Sequence, residues 1–183
     1  MIVKQKGMVD VNREFWYAVK VFYDRVPAMI PFLSNDGIQY YIPMHVTETT
    51  KDGLPTYSER PLIPSLIFIR CAVPYFSTLK STFGDKFQVY SHIETKQPQP
   101  IPEHEMNTFM LVTSAKDKGL ELLDPSFDYR IGDRVRVIDG MFKGAEGYVR
   151  RIKGRKRLIV AVEGVAVVVT SYIPQAFLEK CWG

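Results

Sequence analysis

The chain has 183 residues, 46% of them hydrophobic and 24% charged, ordinary globular usage that excludes a disordered protein and allows one medium and one small domain. Its net charge of +4 is mild but segregated: residues 128 to 160 hold ten Arg or Lys against four acids, which suggests a polyanionic neighbour for the carboxyl-terminal part. No apolar run nears the roughly 18 residues of a membrane span, the first residues lack the apolar core of a signal peptide, and Cys71 and Cys181 read as free thiols, so a cytoplasmic protein is expected.

Residues 1 to 11 show no period and read as a flexible arm. "FWYAVKVFY" (15 to 23) is aromatic and β-branched, as a buried strand is. "DRVPAMIPFLSNDG" (24 to 37) reads as a short helix with Asp24 as N-cap and Asn35-Asp36-Gly37 as the stop; Pro31 inside it predicts a kink or an early end. "IQYYIPMHVTET" (38 to 49) and "RPLIPSLIFIRCAV" (60 to 73) flank the turn "KDGLP" and predict a hairpin with a long tip. "PYFSTLKSTFG" (74 to 84) has proline near the start and glycine past the end of a helix. "FQVYSHIE" (87 to 94) alternates as a strand, and "EHEMNTFMLVTSA" (103 to 115) places Met106, Phe109, Met110 and Thr113 at helical spacing.

This order describes an α+β layer with a mixed sheet. Residues 116 to 128 look like a linker, after which four or five short strands between glycine turns suggest a small β-barrel. The expected divisions are an arm (1–11), an amino-terminal domain (12–115), a linker (116–128) and a barrel domain (129–183).

The glycines of "GMFKGAEG" are not a phosphate-binding loop, because no Gly-Lys-Ser or Gly-Lys-Thr follows and the next segment is a strand rather than a helix. Gly140, Gly144 and Gly147 instead suit sharp turns or close backbone approach. "STLK" (77 to 80) lacks the companion motifs of penicillin-binding enzymes, and His45, His92 and His104 are scattered without metal-ligand spacing. No catalytic constellation emerges, so no enzyme, cofactor or metal is expected. The basic run offers a non-catalytic alternative: Lys143, Arg150, Arg151, Lys153, Arg155, Lys156 and Arg157 gather near a hairpin turn at Gly154, an arrangement for salt-sensitive phosphate contact, with RNA, DNA and water all open as its partner. The proline-bearing apolar strand around Ile63, Leu66 and Phe68 is a candidate protein-contact patch.

Taken together, "RIGDRVRVIDGMFKGAEGYVRRIKGRKRLIVAVEG" resembles a KOW motif, while "FWYAVKVFY" and "RPLIPSLIFIR" resemble the opening strand and proline-bearing strand of the NusG family of transcription elongation factors. The similarity covers about residues 15 to 178, and "IPSLIFIR" looks most like the specialised UpxY-type paralogues that regulate polysaccharide operons in Bacteroides-type bacteria. It implies a NusG amino-terminal domain and a carboxyl-terminal KOW SH3-like barrel. It also implies a monomeric antitermination factor docked on the clamp helices of RNA polymerase through Tyr17, Ile63, Pro64, Leu66 and Phe68. Where general NusG proteins carry Gly-Arg-x-Thr-Pro for ribosomal protein S10 or Rho, this chain has a loop with Gly164, Val165 and Val167, which argues against both partners. An RNA-binding KOW module of a ribosomal or RNA-processing complex is the competing expectation.

Overall fold

The computed structural model describes residues 12–124 and 126–181, so the arm expected over 1–11 lies outside the described residues. The elements of the first half are β1 (Phe15–Val21), α1 (Val26–Asn35), β2 (Gln39–Tyr41), β3 (Met44–Lys51), β4 (Leu54–Pro61), β5 (Leu66–Cys71), α2 (Tyr75–Phe83), β6 (Phe87–Val89) and α3 (Glu103–Ser114). Those of the second are β7 (Glu121–Leu123), β8 (Asp133–Val137), β9 (Glu146–Ile152), β10 (Arg155–Val162), β11 (Ala166–Tyr172) and β12 (Leu178–Lys180). The architecture is α+β, as expected, with a helix-covered sheet followed by a small β unit.

Four antiparallel strands form the first sheet in the order β2-β5-β1-β6. Strand alternation divides its side chains between two cores. Tyr17, Val19, Val21, Ile67 and Ile69 meet Met29 and Leu33 of α1 and Leu79 of α2. Trp16, Ala18, Leu66 and Phe68 meet Met106, Phe109 and Val112 of α3. Because both faces are covered, the central strand β5 is almost continuously apolar.

Helix α1 starts at Val26 with Arg25 at the cap position, one residue past the expected Asp24, whose φ of +50° is left-handed. Pro31 stays inside it; the helix continues because Met29 and Leu33 on either side are fully buried, and that burial offsets the missing hydrogen bond.

The expected long-tipped hairpin resolves differently. β3 and β4 form their own two-stranded ribbon around Asp52 and Gly53, both at positive φ (+53° and +79°), as a tight hairpin turn requires. Strand β5 begins only after residues 62–65 and joins the other sheet. The prolines at 43, 61 and 64 mark these breaks, since each lacks the N–H that would carry a ladder onward.

The second sheet has six antiparallel strands in the order β12-β8-β9-β10-β11-β7. Its glycines act in two ways. Gly140 (φ +80°) and Gly144 (φ +94°) turn the chain, whereas Gly147 lies within β9 and leaves room for a neighbour: a Cβ there would stand 2.3 Å from the Ile159 carbonyl oxygen. Residues 121–123, read as linker, form β7 and pair with β11.

Helix α3 joins the two halves. Phe109 packs against Phe68 at 5.5 Å between ring centroids, and the same buried cluster continues into Val135, Val137, Phe142, Leu158, Val160 and Val168 of the second sheet. The helix therefore buries side chains toward both sheets, and its apolar residues exceed what a one-faced amphipathic helix needs.

Candidate functional site

The residues expected to form a single apolar contact do not share a surface. Tyr17 lies on the α1/α2 face of the sheet, edge-on to Phe76 at 5.2 Å, while Leu66 and Phe68 lie on the opposite face. All three are buried, at 2%, 1% and 0% exposure. The physical reason is the central position of β1 and β5, whose alternating side chains are covered from both sides. Ile63 is half-buried against the shared core, and Pro64 is exposed.

Beside Pro64 the structure adds something the sequence did not mark. An apolar groove of about 330 Å³ runs between the start of α1, the base of the β3–β4 ribbon and the segment before β5. Val26, Pro27, Ile30, Ile42, Met44, Pro61 and Pro64 line it, and Asp24 is its single charged residue. Two of the strand-breaking prolines, Pro61 and Pro64, build this groove together with Pro27 at the start of α1, so the signal was present as proline spacing but needed the fold to bring 26–30 next to 61–64.

The basic residues also separate. Arg157 is buried at 6% exposure, and its guanidinium donates to Glu121 Oε1 at 2.8 Å, to the Gly119 carbonyl at 2.7 Å and to the Thr170 carbonyl. It is a structural residue rather than part of an exposed cluster. The reason is β7: the linker strand lies beside β11 and covers the side of β10 from which Arg157 projects. Lys153 reaches the same Glu121 at 3.6 Å, Lys156 donates to the Gln175 side chain, and Arg150 lies over the Phe127 ring and donates to the Asp128 carbonyl. Among the described residues, Lys143, Arg151 and Arg155 are exposed cations without an ion pair. The turn between β9 and β10 is tight, with Lys153 (φ +51°) and Gly154 (φ +77°) at its centre, so Arg151 and Arg155 flank a fixed tip.

The third expected surface, the loop at Gly164, is only partly free. Gly164 is exposed at φ +73°, whereas Val165 and Val167 are 8% and 2% exposed. Val165 belongs to the core shared with Ile101 of the first half. Close by, Glu105 of α3 accepts a hydrogen bond from the Glu163 backbone, and Arg130 pairs with Glu163 at 2.8 Å. Burial raises the Glu105 carboxyl above its ordinary range, and Glu163 raises it further, while the Glu163 N–H, His104 and Arg130 pull it back. Glu146 is held below the usual carboxylate range by its hydrogen bond from Arg136, aided by Arg134.

The linker fixes these pieces. Asp117 accepts from the Gly119 N–H at 2.9 Å and from the Ser171 N–H at 2.7 Å, Lys116 pairs with Glu59 at 2.7 Å, and the Lys118 ammonium sits 4.0 Å from the centre of the Tyr57 ring. One short segment thus holds the second sheet on one side and the β3–β4 ribbon on the other.

With this arrangement in view, the family model described as transcription termination factor NusG matches residues 14–110, more than half of the chain. The chain belongs to the NusG family of transcription termination and antitermination factors. The transcription termination/antitermination protein NusG of Borreliella burgdorferi is 28% identical over 166 residues, covering 81% of this chain and 88% of that protein. A structure describing domain interaction in Thermotoga maritima NusG aligns over 93% of this chain and 98% of its own at 17% identity, with a TM-score of 0.47. The NusG match spans β1 through most of α3, so the apolar groove lies wholly inside it, while the basic tip and the Gly164 loop lie beyond it. No helix among the described residues is long and apolar enough to cross a membrane.

Proposed function

We propose that this NusG-family chain binds RNA polymerase through the groove beside Ile63 and Pro64 and favours processive transcription of particular operons, as a specialised UpxY-type paralogue. The observation that carries this reading is the exposed apolar groove itself. Its walls are already shaped by three prolines, so a partner's apolar side chains could enter without ordering a mobile loop, and preformed apolar concavity is what a protein partner needs. Within this reading residues 12–115 are the polymerase-binding domain, 116–128 the connecting segment and 129–183 the KOW domain. The apolar burial of Val165 and Val167 supports the view that neither S10 nor Rho is recruited through that loop.

Transcription across a terminator in vitro, with and without the full chain, tests the proposal. The expected result is increased readthrough that Pro27→Asp and Pro64→Asp, both at exposed positions lining the groove, each reduce while the circular dichroism spectrum is unchanged. Pausing and readthrough unaffected by the protein would overturn it. Normal activity in both variants would remove the groove from the contact. The competing reading, an RNA-binding module, is supported by the unpaired Lys143, Arg151 and Arg155, and it expects salt-sensitive RNA binding by the full chain with no affinity for polymerase.

A further inference from the structure

At the outer edge of the first sheet, away from both the apolar groove and the basic tip, lies a cleft of about 380 Å³. We infer that it is a nucleotide site, in which Lys20 and Lys96 hold phosphate while Tyr90 and Ile93 contact the base or sugar. Lys20 projects from β1 directly opposite Gln88 of β6, and Tyr90 follows on the same side. Ser91, His92 and Lys96 come from the loop that folds back after β6. None of the eight lining residues carries a carboxylate, and neither lysine has an ion pair among the described residues, although the Lys20 ammonium rests 5.6 Å from the centre of the Phe22 ring and must leave it to meet a ligand. The Ser91 hydroxyl donates to the Val89 carbonyl at 3.1 Å, which leaves two ammonium groups, an amide and an imidazole lining one concavity without an acid, a donor set suited to an anion with several acceptor oxygens.

The loop is held in place, which distinguishes the cleft from a chance grouping of surface lysines. The His92 N–H donates to the Gln97 carbonyl at 2.9 Å, the Lys96 N–H donates to the His92 carbonyl at 2.9 Å, and Ser91 bridges Pro98. Lys96 itself sits in the left-handed region at φ +56°, an uncommon conformation for lysine that fixes where its side chain departs. The Glu94 N–H donates to His92 Nδ1 at 3.3 Å, which leaves Nε2 as the N–H donor of the neutral ring.

A nucleotide fits better than a bare anion because the cleft also has apolar contact surface. Ile93 is 83% exposed, and the Tyr90 ring is half-buried against the shared core, so its position is set by packing. Flat aromatic and aliphatic surface next to phosphate donors is the pairing by which bases and their phosphates are held together. The phosphate could come from a free nucleotide or from a strand, and the two sources separate in binding assays.

The test uses the full chain without polymerase, so it is independent of the function proposed above. Binding of ATP and of a labelled 12-nucleotide single strand is measured over a salt series for the parent and for K20Q/K96Q. If the ligand is a free nucleotide, the double variant loses about tenfold in ATP affinity. If the site takes a strand, the slope of log affinity against log salt falls by about 1.4, since each single-strand phosphate contact contributes about 0.7. Ile93→Ala, at an exposed position, should weaken the same ligand while leaving the salt slope unchanged. Arg151→Gln with Arg155→Gln serves as a control that should not remove the Lys20/Lys96 effect. Parent-like binding of both ligands by a folded K20Q/K96Q, or no binding of either by the parent, overturns the inference.

Discussion

Arg157 Nη1 donates to Glu121 Oε1 at 2.8 Å, with the guanidinium side chain 8% exposed and the carboxylate 45% exposed. This pair ties the segment between the two sheets to the strand it covers, and two backbone carbonyls complete the arginine's donors. Replacing Arg157 with Ala leaves those carbonyls without a partner, while half-exposed Glu121 regains water. The expected loss is therefore about 2–3 kcal/mol, below that for stranding a fully buried charge. Arg157→Lys should recover only part of it, because an ammonium cannot reproduce the planar fork. Urea titration of the variants checks both values, with Arg155→Gln expected within about 0.5 kcal/mol of the parent as an exposed reference.

Gly147→Ala makes a separate steric prediction. The glycine is in β9 without a positive φ, so the conformation itself tolerates alanine; the cost comes from the Ile159 carbonyl oxygen, 2.3 Å from the added Cβ. Backbone on a paired strand cannot move away as a flexible side chain does. A loss of about 1–3 kcal/mol is expected, larger than for alanine at Gly164, which has open space but a φ of +73°. Thermal melts of the two variants compare steric overlap with backbone strain in the same sheet.

How far the sequence carries is clear from these residues. β1, α2 and α3 were legible because local periodicity and flanking prolines and glycines define them. The break at Pro43 and the independent β3–β4 ribbon were not, since two adjacent strand-like runs can pair with each other or with distant strands at equal local propensity. Strand β7 was hidden for the same reason: three residues pair with a partner more than 40 positions away. That nonlocal pairing also hid the role of Arg157, whose charge resembles its neighbours' until β7 covers it. At the candidate site the apolar character of "PLIPSLIFI" was readable, but not that both faces of β5 are covered, so that Leu66 to Ile69 are all buried while Ile63 and Pro64 stay near the surface.

Phe109 measures how far the two sheets behave as one unit. Its ring is fully buried between Phe68 and a core that continues into the second sheet. Phe109→Ala should cost about 3–5 kcal/mol. The parent should unfold in a single calorimetric transition with matching calorimetric and van't Hoff enthalpies. If the shared core is the link, the variant should either melt earlier as one unit or split into two transitions; an unchanged transition temperature would contradict the packing described.

The Glu105 carboxyl gives a pH dependence whose sign differs from that of the paired acids. Its folded pKa is raised above 4.5, chiefly by burial, so the folded state binds the proton more tightly than the unfolded chain. Stability from this group is therefore lost as pH rises from 4.5 through the raised value, and the loss persists at neutral pH. Glu121 and Glu146 are lowered, chiefly by hydrogen bonds from Arg157 and Arg136, and contribute stability that disappears as pH falls below 4.5. Glu105→Gln keeps an oxygen to accept from the Glu163 N–H but cannot ionise. The variant should match the parent near pH 4 and exceed it at pH 7 by less than about 1 kcal/mol, the group being only half-buried. Urea midpoints across this range decide it: a difference constant with pH would mean that the substitution acts through packing, whereas one that opens above 4.5 assigns it to the buried charge at the junction of the two sheets.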